Sequence, residues 1–181
     1  LGQGRFAYFK ETPKWRTAWA LNDSVYNNTV SLGEALRKKL VEQNLPMPKE
    51  TIFKTAASLG GLSAQAGEIN DKTLFSCIEL CRDIAQNPFG EWGFVGSPEV
   101  SPKGVKDKAY LIFKKEKKPI HFTQVTELIN QAAFSGRQAH PQTVHNELIK
   151  DPRFVLVGRG IYALADWGYA PGTVRDVLVS I

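Results

Sequence analysis

Cysteine, methionine and long apolar runs are scarce in this chain of 181 residues. The two cysteines, Cys77 and Cys81, are too few for a disulfide framework and indicate a reducing compartment. No apolar run approaches the ~18 residues that a membrane span requires, and no secretory signal is recognisable. These absences exclude disulfide-stabilised secreted domains and membrane proteins. We therefore expect a cytoplasmic protein, associated with the nucleoid if it is prokaryotic.

The motifs of common catalytic and metal sites are also absent. No glycine-rich phosphate loop opens from a strand, and no nucleophile motif or paired carboxylates are evident. Cys77 and Cys81 are four residues apart, a spacing that supplies half of a zinc site, but the three histidines lie in the other half of the chain. The thiols are expected to be buried in an apolar stripe. We therefore predict no enzyme, no metal and no small-molecule cofactor.

Acidic residues become scarce in the second half of the chain. Residues 1–100 hold 11 Lys+Arg and 11 Asp+Glu, whereas residues 101–181 hold 12 Lys+Arg and 7 Asp+Glu. The whole net charge of +5 therefore belongs to the second half. This asymmetry indicates two units with different partners, the second facing a polyanion, although basic residues can also simply solvate a face.

One sequence pattern recurs along the chain, in which an aromatic residue lies among small and apolar residues. Trp19, Trp92 and Tyr162 mark it, at spacings of 73 and 70 residues. The recurrence predicts a small module that is repeated. Because the chain opens with Leu1 rather than Met, we expect a fragment. The predicted domains are the hairpin end of a preceding module over 1–22, a winged-helix-like helical module over 23–102 and a second module over 103–181.

Apolar periodicity predicts three helices between residues 104 and 150. The first spans 104–117, with Lys108 outside its apolar face. Thr123 is expected to cap the second, and Pro141 to begin the third, which ends at Asp151-Pro152. The residues expected to face inward are Val105, Ala109, Ile112 and Phe113 in the first helix, Val125, Leu128, Ile129 and Ala132 in the second, and Val144, Leu148 and Ile149 in the third.

A β-hairpin is expected after the third helix. Residues 154–157 and 161–164 are β-rich, and the glycines of Gly158-Arg159-Gly160 suit a tight turn between them. With a short strand over 120–122, the order is that of a winged helix-turn-helix. The predicted fold is mainly α with small β-hairpins, arranged as tandem winged helix-turn-helix modules. Trp92, Tyr162 and Trp167 are expected in the core, and a last helix over 173–181.

The second half resembles the HARE-HTH family. The matching stretches are Pro119–Asn130, Thr143–Phe154 and Gly158–Trp167, within residues 104–168. That family is a winged helix, also found in the N-terminal domain of the RNA polymerase delta subunit, in chromatin regulators and beside restriction endonucleases. The resemblance implies a nucleic-acid-associated module in transcription or DNA metabolism. The acidic tail of the delta subunit has no counterpart in this sequence.

Polar and cationic residues of the second half are the candidates for duplex DNA binding. A helix-turn-helix places its second helix in the major groove, which here is the predicted helix 141–150. A basic hairpin tip between glycines can reach a minor groove or phosphates, and further cations can fix the register on the backbone. The candidates are Gln142, Thr143, His145, Asn146 and Lys150 on the helix, Arg159 at the hairpin tip, and Arg137, Lys117 and Lys118 for phosphates.

The first half is not expected to offer a comparable surface. Its predicted third helix, over 71–86, carries Lys72 and Arg82 but also Asp71, Glu79 and Asp83. Its expected hairpin turn, over 87–90, has no basic tip. A neutral module of this kind more often packs on protein than on DNA.

Three functions are compatible with these patterns. The first is a transcription regulator or RNA polymerase-associated factor that binds double-stranded DNA. The second is an adaptor whose basic face docks on RNA polymerase or a similar complex. The third is the targeting domain of a DNA-modifying or restriction enzyme.

Overall fold

The computed structural model describes residues 6–59, 71–132, 134 and 136–169. The chain forms two compact units, Leu1–Ser101 and Pro102–Ile181. The described residues contain six α-helices and three small antiparallel sheets, a mixed α/β architecture. The predicted helix over 173–181 lies outside the described residues. None of the described helices is both long and apolar enough to cross a bilayer.

The described part of the first unit contains three helices and two short hairpins. The β1 and β2 strands pair with each other, as do β3 and β4. Its elements are β1 (Ala7–Phe9), β2 (Ala18–Ala20), α1 (Asp23–Gln43), α2 (Lys49–Leu59), α3 (Asp71–Leu80), β3 (Ile84–Gln86) and β4 (Trp92–Phe94).

Side-chain and backbone caps set the ends of α1. The Asn22 side chain accepts a hydrogen bond from the backbone N–H of Val25, at 2.9 Å. At the other end Asn44 is left-handed, with φ of 48°, and its N–H donates to the carbonyl of Leu40. Between these caps Leu32, Leu36 and Leu40 recur every fourth residue and are buried. The helix therefore turns one apolar stripe toward the core.

Trp15 completes the core of the first unit from outside the helices. Its indole lies over Gly33, where an added Cβ would be 2.7 Å from the ring. The strand around Trp15 forms a bridge with Cys81, and Arg16 N–H donates to the carbonyl of Leu80. The predicted helix over 71–86 is therefore too long. The helix α3 ends at Leu80, and residues 84–86 form a strand.

Among its described residues, the second unit has three helices and one three-stranded sheet. Within the sheet the strand order is β5-β7-β6, and all pairs are antiparallel. The elements are α4 (Val105–Glu116), β5 (Ile120–His121), α5 (Phe122–Gln131), α6 (Pro141–Lys150), β6 (Phe154–Gly158) and β7 (Ile161–Leu164), followed by a 3₁₀ turn at Ala165–Trp167.

The predicted order of helices and strands in this unit is confirmed, with three local corrections. The cap of α5 is His121 rather than Thr123, because the imidazole accepts from the Thr123 N–H. Lys108 is only 8% exposed, since α4 is packed on more of its circumference than one stripe. Ile149 is 62% exposed, because the buried stripe of α6 follows Val144 and Leu148 and leaves the next residue outside.

The core of the second unit joins all three helices to the sheet. Phe113, Val125, Leu148 and Tyr162 are each at most 3% exposed, so the expectation that Tyr162 is a core residue is confirmed. Trp167 is half-buried, with its ring centroid 6.3 Å from that of Phe113.

The two units share an order of elements and a strand register. Met47, just before α2, bridges to Trp92 in β4, and 73 positions later Ile120, just before α5, pairs with Tyr162 in β7. Two strand pairs of each hairpin also correspond at a spacing of 70 positions: Ile84 with Phe94 and Gln86 with Trp92 in the first unit, then Phe154 with Leu164 and Leu156 with Tyr162 in the second. Matching register places matching residues on the same face of each sheet.

The hairpin β1–β2 differs from the others in exposure. Its strands pair Tyr8 with Trp19, and Trp19 is 67% exposed, whereas Trp92 and Tyr162 are 7% and 3% exposed. The predicted separate module over 1–22 includes Trp15, which the structure places in the core of the first unit.

Candidate nucleic-acid interface

A pair of hydrogen bonds fixes the loop that leads into α6. The Asn130 side chain donates to the carbonyl of Ala139 at 3.0 Å and accepts from its N–H at 2.7 Å. Val144 and Leu148 bury the inner face of the helix. The orientation of α6 is therefore set from both its beginning and its apolar side. Asn130 was not among the sequence candidates, because nothing in the local pattern links it to a loop nine residues later.

The exposed face of α6 holds four of its five predicted contact residues. Gln142, Thr143, Asn146 and Lys150 are all exposed. Gln142 Nε2 donates to Asn146 Oδ1 at 3.2 Å, one helical turn away. This bond orients both amides while leaving the Gln142 oxygen and the Asn146 nitrogen free of it. Lys150 is in the last turn and makes no ion pair with a described residue.

His145 occupies a different environment from the other four. It is half-buried, with its ring stacked on Phe122 at a centroid distance of 4.4 Å. Its edge also approaches Tyr162, at 5.9 Å. The imidazole therefore joins α6 to the start of α5 and to the sheet, and only part of its ring is available to a ligand.

Helix α6 begins without a side-chain cap. His140 is the N-cap residue and makes no side-chain hydrogen bond to the helix, and Pro141 occupies the first turn. The backbone N–H groups of a first turn have no partners within the helix. They are available here to water or to an anion, next to the exposed Gln142 and Thr143.

Arg159 lies at the tip of the hairpin β6–β7 and is exposed. Gly160 follows it with φ of 71°, and a Cβ there would be 2.5 Å from His121 Nε2. The carbonyl of Gly160 accepts from the Phe122 N–H at 3.0 Å. Both observations show that the turn rests closely on the start of α5, which fixes the backbone that carries the guanidinium.

The three remaining predicted cations lie in connecting segments. Lys117 is exposed and ends α4 in a left-handed conformation, with φ of 53°. Lys118 pairs with Glu116, at 3.6 Å. Arg137 is exposed and follows Gly136, whose φ is 103°. Arg137 and Lys117 make no ion pair with a described residue.

Arg153 is a cation of the second half that the fold itself uses. Its guanidinium pairs with Asp151 at 2.7 Å and with Asp107 at 3.0 Å, and lies 4.8 Å from the ring centroid of Tyr110. The hydrogen bond from Arg153 lowers the pKa of Asp151 below its usual range, and the same carboxylates raise the pKa of Arg153. This cluster ties α4 to the segment between α6 and β6.

Apolar side chains are also exposed near the candidate interface, a feature that the sequence analysis missed. Ile149 on α6 is 62% exposed, and Leu156 on β6 and Ile161 on β7 are 38% and 37% exposed. Their spacing resembled that of core residues, and only the packing of α6 on β6 separates inward from outward positions. The elements that carry the polar candidates therefore also carry apolar surface.

The two cysteines are buried, as expected. Cys77 and Cys81 are 6% and 1% exposed, and this burial raises the pKa of both thiols. Within the described part of the chain, no group of three or more histidine, cysteine or carboxylate side chains is placed to hold a metal ion.

Comparisons with protein-family models, with curated proteins and with solved structures found no match for this chain.

Proposed function

We propose that the second unit is a winged-helix DNA-binding domain. Its order of helix, short strand, helix, helix and hairpin supports this class, as does a sheet in which the short strand pairs with the last one. Within that class, the resemblance of residues 104–168 to the HARE-HTH family favours a transcription regulator or an RNA polymerase-associated factor. We propose the same arrangement for the first unit, on the basis of the shared strand register.

One observation carries the proposal. The centre of the exposed face of α6 holds Gln142, Asn146 and Lys150, and the glycine turn beyond β6 holds the exposed Arg159. The acidic residue of the helix, Glu147, is half-buried and lines a cleft that Lys150, Asp107 and Asp151 also line. The proposal therefore rests on the exposed amides of α6 and on the two exposed cations, which attract phosphates.

Each part of this surface has a chemical role in the proposed complex. With α6 in the major groove, the Gln142 and Asn146 amides can form paired hydrogen bonds with adenine, and Lys150 can reach guanine or a phosphate. The hairpin would bring Arg159 to a minor groove or to the adjacent phosphates. Arg137, Lys117 and Lys118 would bind phosphates and fix the register without reading sequence.

Charge reversal tests the proposal. In Lys150→Glu/Arg159→Glu, both side chains are exposed, so the fold should persist while duplex affinity falls at least 100-fold in fluorescence anisotropy. The matched control is Lys38→Glu/Lys54→Glu, which changes the net charge equally at exposed positions of the first unit. Equal affinities of the two variants would contradict DNA binding through α6 and the hairpin.

A protein-docking adaptor is the second candidate, and the exposed Ile149, Leu156 and Ile161 favour it. Interface cores are rich in large apolar side chains. The variant Ile149→Ser separates the two functions. An adaptor loses affinity for its partner, such as RNA polymerase, whereas a DNA-binding domain keeps most of its duplex affinity.

A further inference from the structure

We propose that the first unit also contacts duplex DNA, through a cleft between α2 and α3. The contact rests on the proposed function, because it assumes that the second unit binds the same duplex. Lys49 and Lys72 bind backbone phosphates, and Phe75 packs against an apolar part of the duplex. The balanced charge of this unit instead predicted a neutral module that packs on protein.

The cleft has the dimensions and the charge of a small anion-facing surface. It is an open cleft of about 430 Å³, and it is lined by Lys49, Lys72, Phe75 and Ser76. No described carboxylate lines it. Both lysines and Ser76 are exposed, and the Phe75 ring is half-buried. The Phe75 ring therefore places an apolar surface beside two exposed cations.

The residues that line the cleft correspond in sequence to residues of α6 and the start of α5 in the second unit. Lys72, Phe75 and Ser76 lie 70 positions before Gln142, His145 and Asn146, and Lys49 lies 73 positions before Phe122. These are the spacings at which the strand pairs of the two units correspond.

Two of the four side chains that line the cleft contact neighbouring aromatic rings. The Phe75 ring meets the buried Trp92 edge-on, at 5.7 Å between centroids. Lys49 Nζ lies 5.3 Å from the ring centroid of Phe53. Phenylalanine in this setting can pack on the methyl group of thymine, and lysine acts as a point charge for phosphates.

One of the three acidic residues that made this helix look neutral, Asp83, lies beyond its end, whereas Asp71 and Glu79 remain on α3. Because α3 ends at Leu80, Arg82 and Asp83 do not lie on it. Asp83 pairs with Arg37, and Arg82 with Glu11. Glu79 remains exposed on α3 outside the cleft lining.

A salt titration of the whole chain tests the proposal with a short DNA duplex as the probe. The variant Lys49→Gln/Lys72→Gln should lower the slope of log Kobs against log salt by about 2, since each phosphate contact contributes about 0.9. The matched control, Lys38→Gln/Lys54→Gln, removes the same charge from exposed sites of the same unit and should leave the slope nearly unchanged. A third variant, Lys150→Gln/Arg159→Gln, reports on the second unit.

The pattern of slopes separates the two proposals. If the salt slope falls both in Lys49→Gln/Lys72→Gln and in Lys150→Gln/Arg159→Gln, the result supports both proposals. A reduction only for Lys150 and Arg159 overturns the contact by the first unit and leaves the proposed function standing. A reduction only for Lys49 and Lys72 supports this contact and overturns the role of the second unit. Equal slopes in all variants, including the control, overturn both.

Discussion

The surface between the first and third helices differs between the two units. In the first unit Trp15 lies over Gly33 and beside Cys81. In the second unit, Lys106 and Asp151 stand at the corresponding positions, 73 and 70 residues later. There they line an open cleft of about 620 Å³ with Asp107, Glu147, Lys150, Pro152 and Arg153. The first unit thus has a buried indole next to its first helix, whereas the second unit has a charged surface there.

The difference follows from two pairs of corresponding positions that hold different kinds of residue. Gly33 leaves room for an indole, whereas Lys106 would occupy the same space. Arg82 donates its N–H to the carbonyl of Lys14, but Pro152, at the corresponding position, has no N–H to donate. The second unit therefore cannot accept a strand in the manner of the first. Its cleft is instead closed on one side by the Arg153 ion cluster.

The tips of the hairpins β3–β4 and β6–β7 also differ in charge. Gly90 and Gly160 both have positive φ, and the residues before them are Phe89 and Arg159. At the end of the third helix Leu80 corresponds to Lys150. The hairpin tip and the end of the third helix therefore carry a cation in the second unit and an apolar residue in the first.

The largest expected effect is the loss of stability on removing the buried Trp15 side chain. Replacing Trp15 with alanine empties the cleft of the first unit and should lower the free energy of unfolding by about 3–5 kcal/mol in urea denaturation. The control is Trp19→Ala, at a side chain that is 67% exposed, which should change stability by less than about 0.5 kcal/mol. Similar reductions for both variants would show that Trp15 does not act as a core residue.

The Arg153 cluster should give the second unit an acid-sensitive component of stability. The folded state lowers the pKa of Asp151, so its stabilisation is present above the ordinary value of 3.8 and disappears as the pH falls through the folded-state pKa. Asp151→Asn should cost about 1.5–3 kcal/mol at pH 7 and flatten this acid limb. Amide hydrogen exchange in the second unit between pH 7 and 3 measures both effects; an unchanged acid limb would contradict the role of Asp151.

The two turn glycines should differ in their tolerance of a side chain. Alanine at either position is strained by its positive φ, at about 1–2 kcal/mol. At Gly160 the added Cβ also meets His121 at 2.5 Å, whereas at Gly90 the nearest atom, Gln86 Nε2, is 3.6 Å away. Thermal unfolding should therefore show a larger destabilisation for Gly160→Ala than for Gly90→Ala. The reverse order would mean that the hairpin does not rest on the start of α5.

Exchanging the tip residue gives the smallest expected effect. Phe89→Arg supplies the hairpin of the first unit with the cation that the second unit has at this position. If that hairpin reaches the duplex, the salt slope should steepen by about 1, with Phe89→Ala as the control. An unchanged slope would confine the contact of the first unit to the α2–α3 cleft.

Local patterns in the sequence are sufficient for much of the second unit. The proline at position 141 and the glycine at 160 predict the start of α6 and the hairpin turn, because each restricts or frees one backbone angle. The spacing of Trp92 and Tyr162 also indicated the recurrence that the strand registers match.

Features that depend on distant residues could not be predicted. Arg153 pairs with Asp107, 46 positions earlier, and no local pattern marks either residue as structural. The end of α3 depends on a bridge to Trp15, and the exposure of Ile149 depends on which side of α6 meets the sheet. The half-buried stack of His145 on Phe122 likewise arises only when α5 and α6 pack together.

The central claim is that exposed cations of the second unit meet a duplex together. Its most direct test is the salt dependence of duplex binding by the whole chain, with Lys117, Lys118, Arg137, Lys150 and Arg159 changed together to glutamine. We predict that the slope of log Kobs against log salt falls by about 4–5 relative to the unchanged chain, because each neutralised phosphate contributes about 0.9 to that slope. A slope that stays the same after all five substitutions would contradict the claim.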